Sequence, residues 1–183
     1  VQDSGGTADG GVNAATLSIA STVTITSVND APPLSATALS PTYIENAAAA
    51  DLFSSVSADA VEPDQDFTQF RLTVSGLSDG SAEVLRIDGS DLALTNNNAI
   101  TSATNGLSLS VSLAAGTATV TASQLAGISA TTLQSIIDGL AYRNTSDNPG
   151  TADRVVTLTQ VQDSGGTANG PSRNGCVASS VYW

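Results

Sequence analysis

The chain opens on Val1-Gln2-Asp3-Ser4-Gly5-Gly6-Thr7-Ala8-Asp9-Gly10, and the same decapeptide returns from Val161 to Gly170 with one change, Asn169 for Asp9. The displacement, 161 minus 1, is 160 residues. Self-similarity at a fixed spacing marks units that are built to stand in series. A chain of 183 residues bracketed in this way reads as about one period of a tandem array, cut inside the repeat and not at its border. That pattern predicts a repetitive extracellular scaffold rather than an enzyme.

The length suffices for one buried core, in one domain or one plus a fragment. Hydrophobic residues make up 40% of the chain and aromatics only 4%. The core is therefore expected to consist of Ala, Val, Leu and Ile, with Thr, Ser, Gly and Asn supplying strands and turns. Seventeen Asp and Glu face five basic residues, all Arg, for a formal net charge of −12. Such a surface repels phosphate backbones and anionic lipid, so nucleic acid is not an expected partner. It keeps a secreted protein in solution, and clustered carboxylates can hold divalent cations. No apolar run approaches the ~18 residues of a membrane span, so membrane insertion is not expected. Cys176 is the single cysteine, and the fold needs no internal disulfide.

The hydrophobic pattern has period two through most of the chain. Thr16–Val28 places Leu17, Ile19, Val23 and Ile25 on one face and mostly hydroxyls on the other, which predicts a long strand with one buried face. Asn29-Asp30-Ala31-Pro32-Pro33 ends it, because two prolines cannot continue a ladder. Leu34–Leu39 reads as a short strand, the alanines at 47–50 as a loop or single turn, and Glu62-Pro63-Asp64-Gln65-Asp66 as an acidic loop. Further strands are expected around Phe70–Val74, Val84–Ile87, Leu92–Leu94, Leu107–Leu113, Thr117–Ala122 and Arg154–Gln162. Turns at Leu77–Gly80, Asp88-Gly89 and Ala115-Gly116, a polar loop at Asn96–Asn98 and a loop over Arg143–Gly150 separate them. Asp79 and Asp88 are read as turn formers, and Asp153-Arg154 as a surface ion pair worth under ~1 kcal/mol. One segment has helical spacing: Leu133, Ile136, Ile137 and Leu140 follow a Ser129 cap, and Gly139 ends a short helix over about 130–139. The sum is a mainly β protein, a sandwich of about seven or more strands with one helix on it. Residues 171–183 differ in composition from the rest and read either as a closing strand or as unrelated sequence.

Several segments resemble the cadherin-like repeats of large bacterial surface adhesins. Val28-Asn29-Asp30-Ala31-Pro32-Pro33 is similar to their inter-domain joint, and Tyr43-Ile44-Glu45-Asn46 to the acidic segment early in a domain. Ala141–Pro149 resembles a recurring block, and Asp153-Arg154 with Val156–Thr159 and Asp163–Gly166 resembles the end of a repeat. The resemblance implies an Ig- or cadherin-like sandwich over 34–170, a linker at 29–33, and residues 1–28 as the end of a preceding repeat. It also implies a bacterial cell-surface or extracellular rod stiffened by Ca²⁺, a cation that takes six to eight hard oxygens. The positions carried over as ligands are Asn29, Asp30, Glu45, Asp64, Asp66, Asp163 and its repeat copy Asp3. The pattern departs from the family: Ser27 stands where an upstream acid is expected, and no glycine follows Asp66.

Reactive chemistry is sparse. Without His there is no Ser-His-Asp or Cys-His site and no imidazole for zinc. Without Lys there is no phosphate-loop lysine and no Schiff base. No enzymatic activity is expected. If Thr16–Val28 closes the preceding domain, the sandwich beginning at Leu34 needs its own copy of that strand after Gly170, and 171–183 does not match it. The N-terminal strand of a neighbouring copy could fill the vacancy through Leu17, Ile19, Val23 and Ile25, producing a head-to-tail filament. Three other arrangements remain open: the N-terminal strand folds back on its own domain, the tail supplies the strand, or the exchange is covalent within a longer polypeptide. The second function class is an adhesin module that recognises a surface glycan or protein through loops such as 95–106 and 143–153.

Overall fold

The computed structural model describes residues 1–12, 14–166 and, as backbone, 179–181. Its strands are β1 (Leu34–Ala38), β2 (Ala50–Asp51), β3 (Phe53–Ala58), β4 (Phe67–Ser75), β5 (Glu83–Ile87), β6 (Ser90–Ala93), β7 (Ala99–Thr101), β8 (Ser108–Ala114) and β9 (Thr117–Ile128). The helix α1 (Ala130–Asp138) follows, then β10 (Ala141–Asn144), β11 (Val155–Asp163) and β12 (Ser179–Val181). The protein is mainly β, a sandwich. One sheet has the order β12-β11-β4-β9-β8-β7, the other β2-β10-β5-β6, and β1 pairs with β3 as a two-stranded ribbon. Every strand pairing among the described residues is antiparallel.

The alternation read from sequence is the alternation that buries. Leu72 and Val74 of β4, Leu109 and Val111 of β8, Ala118, Val120 and Ala122 of β9, and Val156 and Leu158 of β11 all lie in the core. Phe67 and Phe70 are three apart yet both buried, because the β4–β9 register shifts between Phe67 and Gln69 and resets the pleat. Two hairpins close on pairs with positive φ: Asp88 (48°) with Gly89 (76°), and Ala115 (48°) with Gly116 (73°), the signs a two-residue turn needs to match strand twist. At α1 the Ser129 hydroxyl accepts the Thr132 N–H at 3.2 Å, and Leu133, Ile136 and Ile137 are buried.

The structure corrects the sequence reading in several places. Thr16–Val28 is not a strand with a buried face: Leu17, Ile19, Val23 and Ile25 are 55%, 87%, 81% and 89% exposed. A strand exists only by pairing, and among the described residues the bridge nearest the segment is the isolated antiparallel one between Gln2 and Ala14. Strands β3 and β10 and the short β7, inside the polar 95–106 stretch, were not expected. The tail contributes β12, paired to β11 as Val181↔Val156, Ser180↔Thr157 and Ser179↔Leu158. Cys176 lies outside the described residues.

The register also defines two ends. Phe67 pairs with both Asp163 and Ile128 at one end, and Val74 and Ser75 pair with Ala118 and Val155 at the other. The linker 29–33 enters at the first end, where Leu34 pairs with Ala58.

Candidate functional site

The first end gathers part of the expected ligand set. Asp163 is 4% exposed. Its Oδ1 accepts the Gly165 N–H at 2.9 Å, a turn that folds the carboxylate over its own backbone, and also accepts Asn29 Nδ2 at 3.2 Å. Asn29 Nδ2 reaches the Gly166 carbonyl at 3.3 Å, and Asn29 Oδ1 accepts Gln65 Nε2 at 2.8 Å. The next linker residue donates its N–H, Asp30 to Glu62 Oε1 at 2.9 Å. Asp66 and Ser164 clasp each other: the Ser164 N–H donates to the Asp66 carbonyl at 2.8 Å, and the Asp66 N–H to Ser164 Oγ at 3.1 Å. A Cβ at Gly165 would overlap Asn29 Oδ1 and Gln65 Nε2, so a larger residue there would displace both side chains. The linker is thus tied to the acidic loop and to the end of β11 by side chains 36 and 134 residues apart in sequence.

The two copies of the decapeptide fold alike where it matters. Asp3 Oδ1 accepts the Gly5 N–H at 2.8 Å, as Asp163 does for Gly165, and Gly6 and Gly166 have φ of 71° and 65°. Asp3 itself is exposed and bonded only within its own loop in the described contacts. Glu45 is exposed and lies beside Tyr142 and Arg154, away from the linker cluster. Asp64 is exposed with φ of 65°, the geometry of a turn residue. Asn29, Asp30, Asp66 and Asp163 therefore converge, whereas Asp3, Glu45 and Asp64 do not join them. Sequence reasoning missed Glu62 and Gln65. Their signal was adjacency to the expected acids in a Pro-broken loop.

That cluster holds two acceptor atoms with no donor: Glu62 Oε2 and Gln65 Oε1 are both shielded from solvent and unpaired. A buried oxygen without a donor costs about 1–3 kcal/mol. Hard oxygens held this way suit a hard cation. Among the described residues no three His, Cys, Asp or Glu side chains form a metal-binding group by themselves, so a cation here would draw on amide oxygens as well.

Searches against family models, curated proteins and solved structures returned no match for this chain.

The second end is closed by a buried ionic network. Arg154, expected at the surface beside Asp153, is instead 4% exposed and pairs with Glu83 and Asp79. Its Nε donates to Glu83 Oε1 at 2.7 Å, and one terminal nitrogen donates to Asp79 Oδ2 at 2.9 Å and Ser78 Oγ at 3.0 Å. The other donates to the carbonyls of Gly150 and Ala152. Glu83 Oε2 accepts the N–H groups of Ser78 and Asp79, each at 3.1 Å, and Glu83 Oε1 accepts the Tyr142 hydroxyl at 3.1 Å. The guanidinium fork meets acceptors on both sides, which is how a buried charge is tolerated. Burial, reinforced by the Glu83 charge, pushes the Tyr142 hydroxyl well above its ordinary value. Asp79, read as a turn former, is a member of this network. Asp88, read likewise, does sit in its turn, and its carboxylate also pins the 102–107 loop through Ser102 and the Asn105 N–H (2.9 Å).

Partial burial pushes the Asp79 carboxyl up, but hydrogen bonds from Asn144, the Gly150 N–H and Ser78, with the Arg154 charge, outweigh it and hold the group below its ordinary 3.8. A carboxylate lowered in the folded state stabilises the fold fully above its unfolded pKa, and that contribution disappears as pH falls through the folded value. Thermal melts from about pH 6 down to about pH 2 are expected to fall most steeply below the ordinary carboxylate range, with a shallower fall for Asp79→Asn. Identical acid slopes for the two proteins would remove Asp79 from the account. Beside this network lies an open cleft of about 310 Å³ lined by Ser40–Tyr43, Glu45, Tyr142 and the 149–154 loop. Tyr43 packs edge-on against Tyr142 with ring centroids 5.9 Å apart.

Proposed function

We propose that this chain is a structural repeat of a bacterial extracellular or cell-surface scaffold, a cadherin-like unit whose copies join in series into a rod or head-to-tail filament serving adhesion or matrix. The observation that carries the reading is the N-terminal arm. It presents Leu17, Ile19, Val23 and Ile25 to solvent, and among the described residues its period-two pattern joins no sheet. A segment of that pattern, tethered by a clamped linker to the sandwich, is suited to add a strand to a neighbouring copy through ladder bonds and alternate side chains.

Calcium belongs to the same proposal. Asn29, Glu62, Gln65 and Asp163 would hold it, with Asp30 and Asp66 beside them, and its charge would offset local repulsion in a chain of net charge −12 and stiffen the angle between linker and sandwich. A ligand that binds only the folded state stabilises it by about 2.7 kcal/mol at a hundredfold excess over Kd. The melting temperature is therefore expected to rise in millimolar Ca²⁺ relative to chelator, and the rise to vanish in Glu62→Gln/Asp163→Asn. Equal melts of the parent chain with calcium and with chelator would remove calcium from the proposal.

The second reading is an adhesin module that binds a glycan or host protein, and the cleft beside Tyr43 and Tyr142 favours it. The scaffold reading is preferred because Tyr142 is only 3% exposed and Arg154, which borders the cleft, already spends its donors inward. Glycan-array binding lost on Tyr43→Ala would reverse that preference.

A further inference from the structure

The cleft beside Tyr43 and Tyr142 has a shape and a charge that select one kind of occupant. Its walls are held from behind. The Tyr43 hydroxyl donates to the Asn144 carbonyl at 2.8 Å, and the Asn144 side chain donates to Asp79 Oδ2 at 2.6 Å. The facing loop is fixed through the same carboxylate oxygen, which accepts the Gly150 N–H at 2.9 Å. It is fixed again by the Arg154 guanidinium, which donates to the Gly150 and Ala152 carbonyls. A ligand entering between ordered walls does not have to order them first. The volume is about 310 Å³, at the lower end of ligand sites, which run from roughly 300 to 1,000 Å³. That space takes one long side chain and not an oligosaccharide. Tyr142 is 3% exposed, so it offers no flat face on which a sugar ring could stack.

Electrostatics decide the class of ligand. Among the described residues Arg154 is the one cation lining the cleft. Each of its N–H groups already has an acceptor: Glu83, Asp79, Ser78 and the two loop carbonyls. It has no donor left for an anion, and it faces two carboxylates, so its own charge is already answered. Glu45 and Asp153 also line the cleft, and both are exposed. Among the described residues neither takes part in an ion pair. Arg154 turns inward, so Asp153 does not pair with its neighbour in the chain. Pro41, Tyr43 and Pro149 supply apolar wall. Two unpaired carboxylates beside apolar wall suit a cation carried on a hydrocarbon arm, with the arm against carbon and the head at the acids. A guanidinium fits better than an ammonium, because it is planar, weakly hydrated, stacks on aromatic rings and meets carboxylates in a fork.

We infer that this cleft is a docking site for an arginine side chain of a partner protein. Glu45 and Asp153 bind the guanidinium, and Pro41, Tyr43 and Pro149 bind its methylenes. The net charge of −12 draws basic segments toward the molecule as a whole, and the cleft then selects by fit. The inference goes beyond serial assembly and does not depend on it.

A nuclear magnetic resonance titration of the full, isotope-labelled chain at low salt tests it, with the peptide Ac-Gly-Gly-Arg-Gly-Gly-NH2 as the probe. Amide shifts centred on residues 40–45 and 149–154 are expected. The same peptide with citrulline, matched in shape and uncharged, is expected to bind at least about tenfold more weakly. Glu45→Gln/Asp153→Asn is expected to weaken the arginine peptide by about tenfold with the melt unchanged, because both acids are exposed. Asp9→Asn/Asp64→Asn removes the same charge outside the cleft and is expected to leave the affinity within about twofold. Equal binding of the citrulline peptide, an equal loss in both double variants, shifts centred elsewhere, or no shift at about 10 mM peptide would each overturn the assignment. Shifts at the cleft from a neutral oligosaccharide, maltopentaose, with none from the peptide would overturn it in favour of a glycan. Self-association of the parent chain lost in Glu45→Gln/Asp153→Asn would overturn a foreign partner in favour of a second copy.

Discussion

Replacing Arg154 with Met is expected to cost about 3–5 kcal/mol, a drop in melting temperature on the order of 10 °C. Nearly all of that loss would come from what is left behind. Glu83 is 1% exposed and faces the guanidinium at 2.7 Å, so removing the cation strands a carboxylate inside the sandwich with only Tyr142 and two backbone N–H groups to hold it. The carbonyls of Gly150 and Ala152 lose their donor at the same time, freeing the loop that Arg154 gathers over the sheet. Glu83→Gln in the Arg154→Met background should recover part of the loss, because a neutral amide still accepts from the backbone and no buried charge remains. A single-mutant loss below about 1 kcal/mol, the value of an exposed pair, would refute this account.

Phe70→Ala is expected to cost a similar amount, about 3–5 kcal/mol. The chain has three Phe, and Phe53, Phe67 and Phe70 are all fully buried among Leu, Val and Ala. Phe70 stands on β4, whose neighbours are β11 and β9, opposite Val161 and Ala122. Small β-branched and alanine neighbours cannot swing into the vacated volume, so the cavity persists and the dispersion contacts are lost. Phe70→Leu, which refills most of the space, should cost much less. Denaturant titrations of both variants measure this through the midpoint, and an unchanged slope certifies that stability alone has moved.

The parts of the molecule legible in the sequence were those governed by local physics. The 107–113 alternation, the Ser129-capped helix and the Asp88-Gly89 turn each follow from neighbours a few residues apart. What escaped were features created by distant partners. The second half of β10, Arg143 and Asn144, reads as a loop until Val84 and Glu83 lie beside it. Arg154 reads as a surface charge beside Asp153, because nothing local reveals that Glu83, 71 residues earlier, waits inside. Thr16–Val28 fails in the opposite sense: its pattern is that of a strand, but a ladder is a property of two segments, and among the described residues this one pairs with no strand. At the linker, the sequence named Asn29 and Asp163 separately, and folding brought them to 3.2 Å. Glu45, carried over on the resemblance of its segment, lies instead beside Tyr142 and Arg154.

The opposite margin of the large sheet also has a consequence. There β7 is only three residues long, Ala99–Thr101, and follows the run Asn96-Asn97-Asn98. The Asn96 side chain accepts the Leu113 N–H at 3.0 Å, and the Asn98 side chain donates to the Ala93 carbonyl at 2.7 Å. A border so brief, with amide side chains spent on nearby backbone, is a poor template for sideways stacking. The same blunt rim guards a strand-rich, weakly aromatic protein against collapsing into amyloid-like ribbons.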